Sequence, residues 1–301
     1  MAVKKKRRVW PLLLLFILGL SIFSYPFLSD YYYRVEFTNE VTSFDQGRNE
    51  LNEAEIKERI ELAQAYNNVL NNEVTNDPFD TEQLTAGIKE YARMLEVREK
   101  IGFIKIPAID VELPIFAGTS DEVLEKGLGH LEGTSLPIGG NSTHTVITGH
   151  SGLPKAKLFT DLHDLAIGHK FYIHNISEVL AYQVDYIETI EPTDFSKLLI
   201  EPGHDYVTLL TCTPIGINSH RLIVRGHRIE YFAPVEEKAI AEHKASKRFE
   251  QLFYITAAAA GILLLTLINL AFKYRKLKIK QKTLKDKLAE AEESSAESTS
   301  E

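Results

Sequence analysis

Residues 207–225 read VTLLTCTPIGINSHRLIVR, and this stretch contains two short β-type runs joined by a turn-forming connection. The first run ends at Cys212, and residues 213–218 hold the Pro, Gly and Asn that are typical of a loop. The second run begins at Arg221. If the two runs pair antiparallel, residue 212 lies opposite residue 221, and both side chains occupy one face. The sequence therefore predicts a β-hairpin with a cysteine and an arginine side by side.

More β-type segments precede this hairpin, and they are separated by Gly, Pro and Asn. About eight short strands over about 130 residues are typical of a single β-barrel or sandwich. Short helical inserts are predicted at 121–127 and 156–163, and we interpret Leu136-Pro137-Ile138-Gly139-Gly140 as a loop. The strand-like runs lie at 103–106, 111–116, 143–148, 170–174, 180–186, 206–211 and 221–231.

The region before the β segments is helical in character. Apolar residues at a spacing near 3.6 among charged ones predict a helix over 48–74. Asp77-Pro78-Phe79 follows it, and Pro78 disfavours helical geometry at Asp77. Spacing alone indicates a turn that ends the helix.

Two uncharged segments are long enough for membrane spans, which need about 20 apolar residues. One lies between Arg8 and Asp30, and the other covers 251–272. We expect a transmembrane helix or signal-anchor at 9–29, with a cleaved signal peptide as the alternative, and a transmembrane helix at 251–272.

Basic residues precede the first apolar segment and follow the second. The positive-inside bias then predicts a multi-pass protein of the cell membrane, with both termini cytoplasmic and residues 30–250 outside the cell. The predicted order is a basic N-terminus (1–8), the first span (9–29), a helical region (30–99), a β-barrel (100–232), a linker (233–250), the second span (251–272) and a basic, then acidic, tail (273–301).

Composition excludes several classes of protein. Lys and Arg number 34 against 42 Asp and Glu, a net charge of −8, which argues against a nucleic-acid binder. The single cysteine excludes an intramolecular disulfide framework and a four-cysteine zinc site. His144 and His150 are separated by a spacing that fits no common zinc pair. We therefore expect no metal site.

Cys212 is the candidate nucleophile, although a lone cysteine is often only a small buried apolar residue. A neighbouring arginine favours the thiolate and offers donors to a developing oxyanion. A histidine is also needed as a proton carrier. Among the ten histidines, His150 follows the strand-like run 146–148 and stands in a glycine-flanked turn, where a strand end exposes its side chain.

These residues resemble the motifs of a known family. Thr208-Leu209-Leu210-Thr211-Cys212 resembles the T-L-x-T-C signature of sortases, and Thr148-Gly149-His150 resembles their T-G-H segment. Arg221 resembles their catalytic arginine. The longer run 211–222 is similar to class C, the pilin-polymerising sortases of Gram-positive bacteria.

The resemblance implies a mainly β fold, an eight-stranded barrel with short helical inserts and an N-terminal helical region that carries a lid. Asp77, Pro78 and Phe79 match the lid motif, which implies that Asp77 pairs with Arg221 and that Phe79 lies near Cys212.

The resemblance also implies a reaction. Cys212 would cleave an L-P-x-T-G-like sorting signal of a pilin between Thr and Gly, and His150 would carry the proton. Arg221 would steady either the oxyanion or the substrate backbone. A lysine of another pilin subunit would then accept the acyl group as an isopeptide bond. This reaction needs neither a metal nor an organic cofactor.

Three alternatives share parts of this pattern. A sortase that attaches surface proteins to the cell wall would keep the same catalytic residues. A cell-wall cysteine peptidase would release a free acid, and a non-enzymatic pilin-docking module would not need Cys212.

Overall fold

The computed structural model describes residues 10–70, 88–245 and scattered helical positions between 248 and 281. Two compact units divide the chain, 1–241 and 242–301, and the second unit is described only by some of its helical residues. The first unit contains α1 (Trp10–Glu50), α2 (Glu53–Asn68), β1 (Lys100–Ile106), β2 (Val111–Ala117), α3 (Asp121–Lys126), β3 (Leu128–His130), β4 (Thr143–Thr148), β5 (Lys170–His174), β6 (Val179–Ile190), β7 (Asp205–Thr213) and β8 (His220–Ile229).

The eight strands close into a barrel in the order β1-β2-β3-β4-β7-β8-β6-β5. Two neighbouring pairs, β2 with β3 and β4 with β7, are parallel, and the others are antiparallel. The predicted eight-stranded barrel is confirmed. The sequence did not reveal β3, because its three residues are too few to show an alternating pattern.

Alternation along β7 divides its side chains between two apolar clusters. Val207 and Leu209 belong to the large cluster that fills the barrel. Leu210 points to the opposite, outer face and joins a second cluster that consists of Leu131, Val146, Ile190, Leu198, Leu210 and Ile223. The outer face of β4, β7 and β8 is thus itself a packed surface, and Cys212 lies on that face.

Helix α1 packs on the barrel through its C-terminal half. Phe44 is fully buried, and its ring meets that of Phe103 edge-on at 5.9 Å between centroids. The ammonium of Lys100 in β1 is almost fully buried and lies 2.7 Å from the Glu40 carboxylate of α1. Because a buried charge is costly without a partner, this pair fixes the position of α1 against β1.

Helix α2 differs from the helix predicted over 48–74. The predicted helix begins inside α1, and residues 51–52 are not helical, so they separate α1 from α2. Asn52 caps α2, since its side chain accepts the amide of Glu55 at 2.9 Å. Near the other end, Asn67 donates to the Leu136 carbonyl at 3.2 Å and accepts the Leu136 amide at 2.7 Å.

The remaining local predictions have mixed outcomes. Segment 136–140 is a loop, as expected, and α3 confirms the insert predicted at 121–127. The insert predicted at 156–163 is only a 3₁₀ turn, Thr160–Asp164. The linker predicted at 233–250 is helical over 233–245.

The prediction of two transmembrane helices is wrong. Within the described parts of the chain, no helix combines the length and the apolar character that crossing a membrane requires. The apolar run predicted to span at 9–29 does not form a separate helix, because α1 continues without a break into the charged sequence up to Glu50. Of the run predicted at 251–272, the structure describes only isolated helical residues.

Two histidines are buried in the barrel wall in their neutral form. Burial lowers the pKa of His130 to about 4, against a smaller opposing effect of its bond to the Ser135 carbonyl. Burial likewise lowers the pKa of His144 to about 4, and the bond to the Leu199 carbonyl again opposes the shift. Both rings are thus uncharged at neutral pH.

The two buried histidines predict an acid-sensitive fold. In the unfolded chain each ring binds its proton near the ordinary pKa of about 6.5, so the unfolded state holds more protons between that value and about 4. Stability therefore falls as the pH falls through this window. The free energy of unfolding, measured by urea titration, should be lower at about pH 5 than at about pH 7.5 by about 2 kcal/mol for each ring.

The matched variants are His144→Asn and His163→Gln. His144→Asn should remove about half of this pH dependence. His163→Gln, which changes an exposed ring and leaves both buried rings in place, is the control. An unfolding free energy equal at both pH values in the wild type would contradict the prediction.

Candidate active site

The predicted cysteine–arginine pair is present in the hairpin of β7 and β8. Cys212 and Arg221 are register partners in the antiparallel ladder. Both side chains are largely buried, each with 7% of its surface exposed. Since register partners share a face, the thiol and the guanidinium stand next to each other on the outer side of the barrel.

Strand β4 runs beside β7 in parallel, and their pairing continues past the end of β4. The last ladder pair is Thr148 with Leu210. The next residue, Gly149, donates its amide to the Leu210 carbonyl at 3.1 Å. Its carbonyl in turn accepts the Thr211 hydroxyl at 2.6 Å. These two bonds carry the alignment of the strands into the turn.

His150 follows and is held from both sides. The Ser151 hydroxyl donates to the Cys212 carbonyl at 2.6 Å, so the chain after the histidine is tied to the cysteine itself. The His150 carbonyl accepts the Phe159 amide at 3.0 Å. The backbone of His150 therefore lies beside that of Cys212, and β4, β7 and β8 bring His150, Cys212 and Arg221 into one row.

Two glycines make this turn possible. A Cβ at Gly149 would lie 2.5 Å from a Leu128 methyl group and 3.0 Å from the Phe159 ring, so a side chain there would push the turn away from the barrel. Gly152 has a φ of +71°, and a Cβ there would lie 2.4 Å from the Ile215 side chain. Gly149 thus allows the turn to approach Leu128 and Phe159, and Gly152 allows it to approach the β7–β8 loop.

The surroundings of His150 set its protonation. Partial burial is the largest effect and lowers the pKa of the ring. The negative charges of Asp121 and Glu125 on α3 raise this pKa, and the positive charge of Lys155 lowers it. Lys155 also forms an ion pair with Glu125 at 3.0 Å. The net result favours the neutral imidazole.

The guanidinium of Arg221 is anchored by its own loop. Its Nη1 donates to the Asn218 carbonyl at 2.9 Å and to the His220 carbonyl at 3.0 Å. Because the guanidinium is planar and rigid, these two bonds fix the plane of the whole group beside Cys212.

Sequence reasoning selected the three residues of the row but missed the groups that hold and tune them. Ser151 directly follows His150, yet nothing in a serine indicates a bond to a carbonyl 61 residues away. The charges of α3 also escaped notice, because only the closed barrel brings that helix close to the histidine. The predicted lid residues Asp77, Pro78 and Phe79 lie outside the described residues.

Comparison with known proteins agrees with this geometry. The family described as "Sortase domain" matches residues 104–229. Sortase C-1 of Streptococcus pneumoniae has a solved structure that is 62% identical with a TM-score of 0.63, covering 64% of this chain and 100% of that one. The chain belongs to the sortase family.

Other sortases support the assignment. A structure described as a pilus-related sortase C of Group B Streptococcus is 61% identical with a TM-score of 0.61, covering 64% of this chain and 97% of that one. Sortase A of Bacillus anthracis is 26% identical over 223 residues, 73% of this chain and 95% of that protein. Sortases are cysteine transpeptidases, so this sortase is an enzyme of that type, and its solved relatives include class C enzymes.

The charges around His150 predict shifts of opposite sign in two variants. Asp121→Asn removes a negative charge and should lower the pKa of His150 further, whereas Lys155→Gln removes a positive charge and should raise it. An NMR titration of the His150 ring in each variant measures both shifts. Shifts of the same sign in the two variants would contradict this electrostatic account.

Proposed function

We propose that this sortase cleaves an L-P-x-T-G-like sorting signal between Thr and Gly and joins pilin subunits through a lysine isopeptide bond. The observation that carries the proposal is the row formed by His150 in the turn after β4, Cys212 in β7 and Arg221 in β8. A thiol, an imidazole and a guanidinium in one row can serve as nucleophile, proton carrier and anion-binding group. The relatives described as pilus-related sortases favour pilins as the substrates.

The first half of the reaction forms a thioester. The sulfur of Cys212 attacks the carbonyl carbon of the signal threonine, and the C–N bond to glycine breaks. His150 takes the thiol proton and delivers it to the departing glycine amine. A neutral imidazole can accept this proton, which agrees with the lowered pKa of His150.

The second half transfers the acyl group. A lysine amine of another pilin attacks the thioester, His150 removes a proton from that amine, and the C–S bond breaks. The thiol recovers its proton, so the enzyme returns to its starting state without an external acid or base. No oxidant or cofactor takes part in either half.

We assign to Arg221 the stabilisation of the oxyanion that forms when Cys212 attacks. The carbonyls of Asn218 and His220 fix its guanidinium beside Cys212, and a donor fixed in place before the reaction stabilises developing charge without reorganisation. The location of the enzyme outside the cell, which pilin substrates require, stays a prediction.

The decisive test mixes the full chain with an L-P-x-T-G peptide and a pilin domain and follows the products by intact mass spectrometry. We expect a thioester that passes to a pilin lysine and that is absent with Cys212→Ala. Arg221→Lys keeps the charge but loses the planar donor fork, so thioester formation should slow by about 10²-fold or more.

The products also separate the alternatives. Release of the free acid alone, with abundant lysine present, would support a peptidase instead. With a cell-wall amine added beside the pilin domain, transfer only to that amine would support a sortase that anchors surface proteins. If no signal variant forms an adduct, the non-enzymatic docking module is the remaining alternative.

We further propose that Asp77, Pro78 and Phe79 form a lid over the row, with Asp77 facing Arg221 and Phe79 near Cys212. This proposal depends on the match of Asp77-Pro78-Phe79 to the lid motif of class C sortases. Asp77→Ala and Phe79→Ala should both increase the rate at which a thiol reagent labels Cys212. Asp80→Ala, which changes a neighbouring acid outside the motif, is the matched control. Equal labelling rates in all of these proteins would rule out the lid.

A further inference from the structure

Thr148 is the last residue of β4, and it lies on the outer face of the barrel next to the catalytic row. Its register partners are Leu210 in β7 and Gly129 in β3. Leu210 belongs to the outer apolar cluster, and register partners share a face. Cys212 stands two residues further along β7, which is about 7 Å in an extended strand.

The hydroxyl of Thr148 is an exception among the threonines of this region. Its side chain has no exposed surface, and its Oγ1 has no hydrogen-bond partner within the part of the chain that the structure describes. The nearby hydroxyls are satisfied, since Thr211 donates to the Gly149 carbonyl at 2.6 Å. Thr208 lies 2.8 Å from Nε2 of His144.

The direction of the Thr208 bond follows from its surroundings. Nδ1 of His144 lies 2.9 Å from the Leu199 carbonyl, which can only accept, so Nδ1 carries the ring proton. Nε2 is then an acceptor, and the Thr208 hydroxyl donates to it. Thr208 therefore has a defined partner in the folded enzyme, on the same face as Thr148.

A buried hydroxyl without a partner costs free energy that a valine of the same shape would not. Packing alone therefore gives no reason for threonine at this position. The missing partner can instead come from a molecule that binds during the reaction. Thr148 lies on the strand next to that of Cys212 and is offset from it by two residues, so the peptide substrate is the molecule that reaches both.

We propose that the Thr148 hydroxyl binds the main chain of the sorting signal and donates to the carbonyl of its proline. This inference rests on the proposed function. Thr148 is level with Leu210, so along the strand direction it is offset by about 7 Å from Cys212. An extended peptide advances about 3.4 Å per residue, so the residue two positions before the attacked carbonyl is level with Thr148. In L-P-x-T-G that residue is proline, which has no amide hydrogen and offers only its carbonyl.

The proposal also requires a movement. Because Thr148 has no exposed surface in this structure, the peptide can reach the hydroxyl only after the groups that cover it move apart. The residue thus acts in substrate binding, and its hydroxyl is satisfied only in the complex.

The test compares Thr148→Val, Thr148→Ser and Thr208→Val in the full chain, each also combined with Phe79→Ala to open the proposed lid. Thr148→Val should leave the melting temperature unchanged or raise it, because no bond is lost in the free enzyme. The same change should lower the second-order rate of thioester formation with a Leu-Pro-Glu-Thr-Gly peptide about tenfold. Thr148→Ser keeps the hydroxyl and should stay within about twofold of the wild-type rate.

Thr208→Val is the matched control for stability. It removes a hydroxyl that has a partner, so its melting temperature should fall by about 2–4 °C or more, the opposite of Thr148→Val. A second peptide, in which a methylene group replaces the proline carbonyl, completes the cycle. With that peptide, Thr148→Val should have no further effect on the rate.

Each contrary outcome has a clear meaning. A thioester that forms equally fast in Thr148→Val and in the wild type would overturn the inference and leave the proposed function intact. A large loss of melting temperature in Thr148→Val would also overturn it, because the hydroxyl would then serve the fold. If no protein that retains Cys212 forms a thioester, the proposed function fails and this inference fails with it.

Discussion

The active site depends on the alignment of three strands, β4, β7 and β8. The antiparallel register of β7 and β8 sets Arg221 against Cys212, and the parallel register of β4 and β7 brings His150 to the other side. A slip of one residue in either ladder would turn the cysteine and its partner to opposite faces. The hydrogen bonds that extend β4 past Thr148 continue this alignment into the turn that holds His150.

The outer apolar cluster explains why these registers are well determined. A barrel normally buries one face of each strand, but here the outer face of the same strands is also packed, through Leu210, Ile223 and Leu198. Both faces of β7 are thus buried. A shift of its register by one residue would disrupt the packing of the barrel core and of the outer cluster together. The Cys212 thiol therefore projects from a strand that is packed on both faces, which in the proposed mechanism reduces the reorganisation needed when substrate binds.

The sequence predicts this architecture where the signal is local and misses it where the signal is long-range. The hairpin and the pairing of Cys212 with Arg221 follow from short runs of alternating residues and their turn. His150 is one of ten histidines, and its resemblance to the T-G-H segment selects it. The three-residue β3, the continuation of α1 to Glu50 and the charges of α3 near His150 do not. Each of these depends on contacts between residues far apart in the chain, and such contacts leave no periodic trace in the sequence.

The charges around His150 are consistent with its two roles in the proposed mechanism, in which it first accepts a proton and then donates it. A ring that remained protonated could not accept the thiol proton, and a ring too weakly basic could not hold that proton until the amine leaves. Burial moves the pKa of the ring down, while Asp121 and Glu125 move it up and so stabilise the imidazolium when it forms. The neutral ring at rest and the acidic helix beside it thus serve opposite moments of one proton transfer. Since α3 and the turn after β4 come from separate parts of the chain, the barrel that joins them is also what sets the basicity of the histidine.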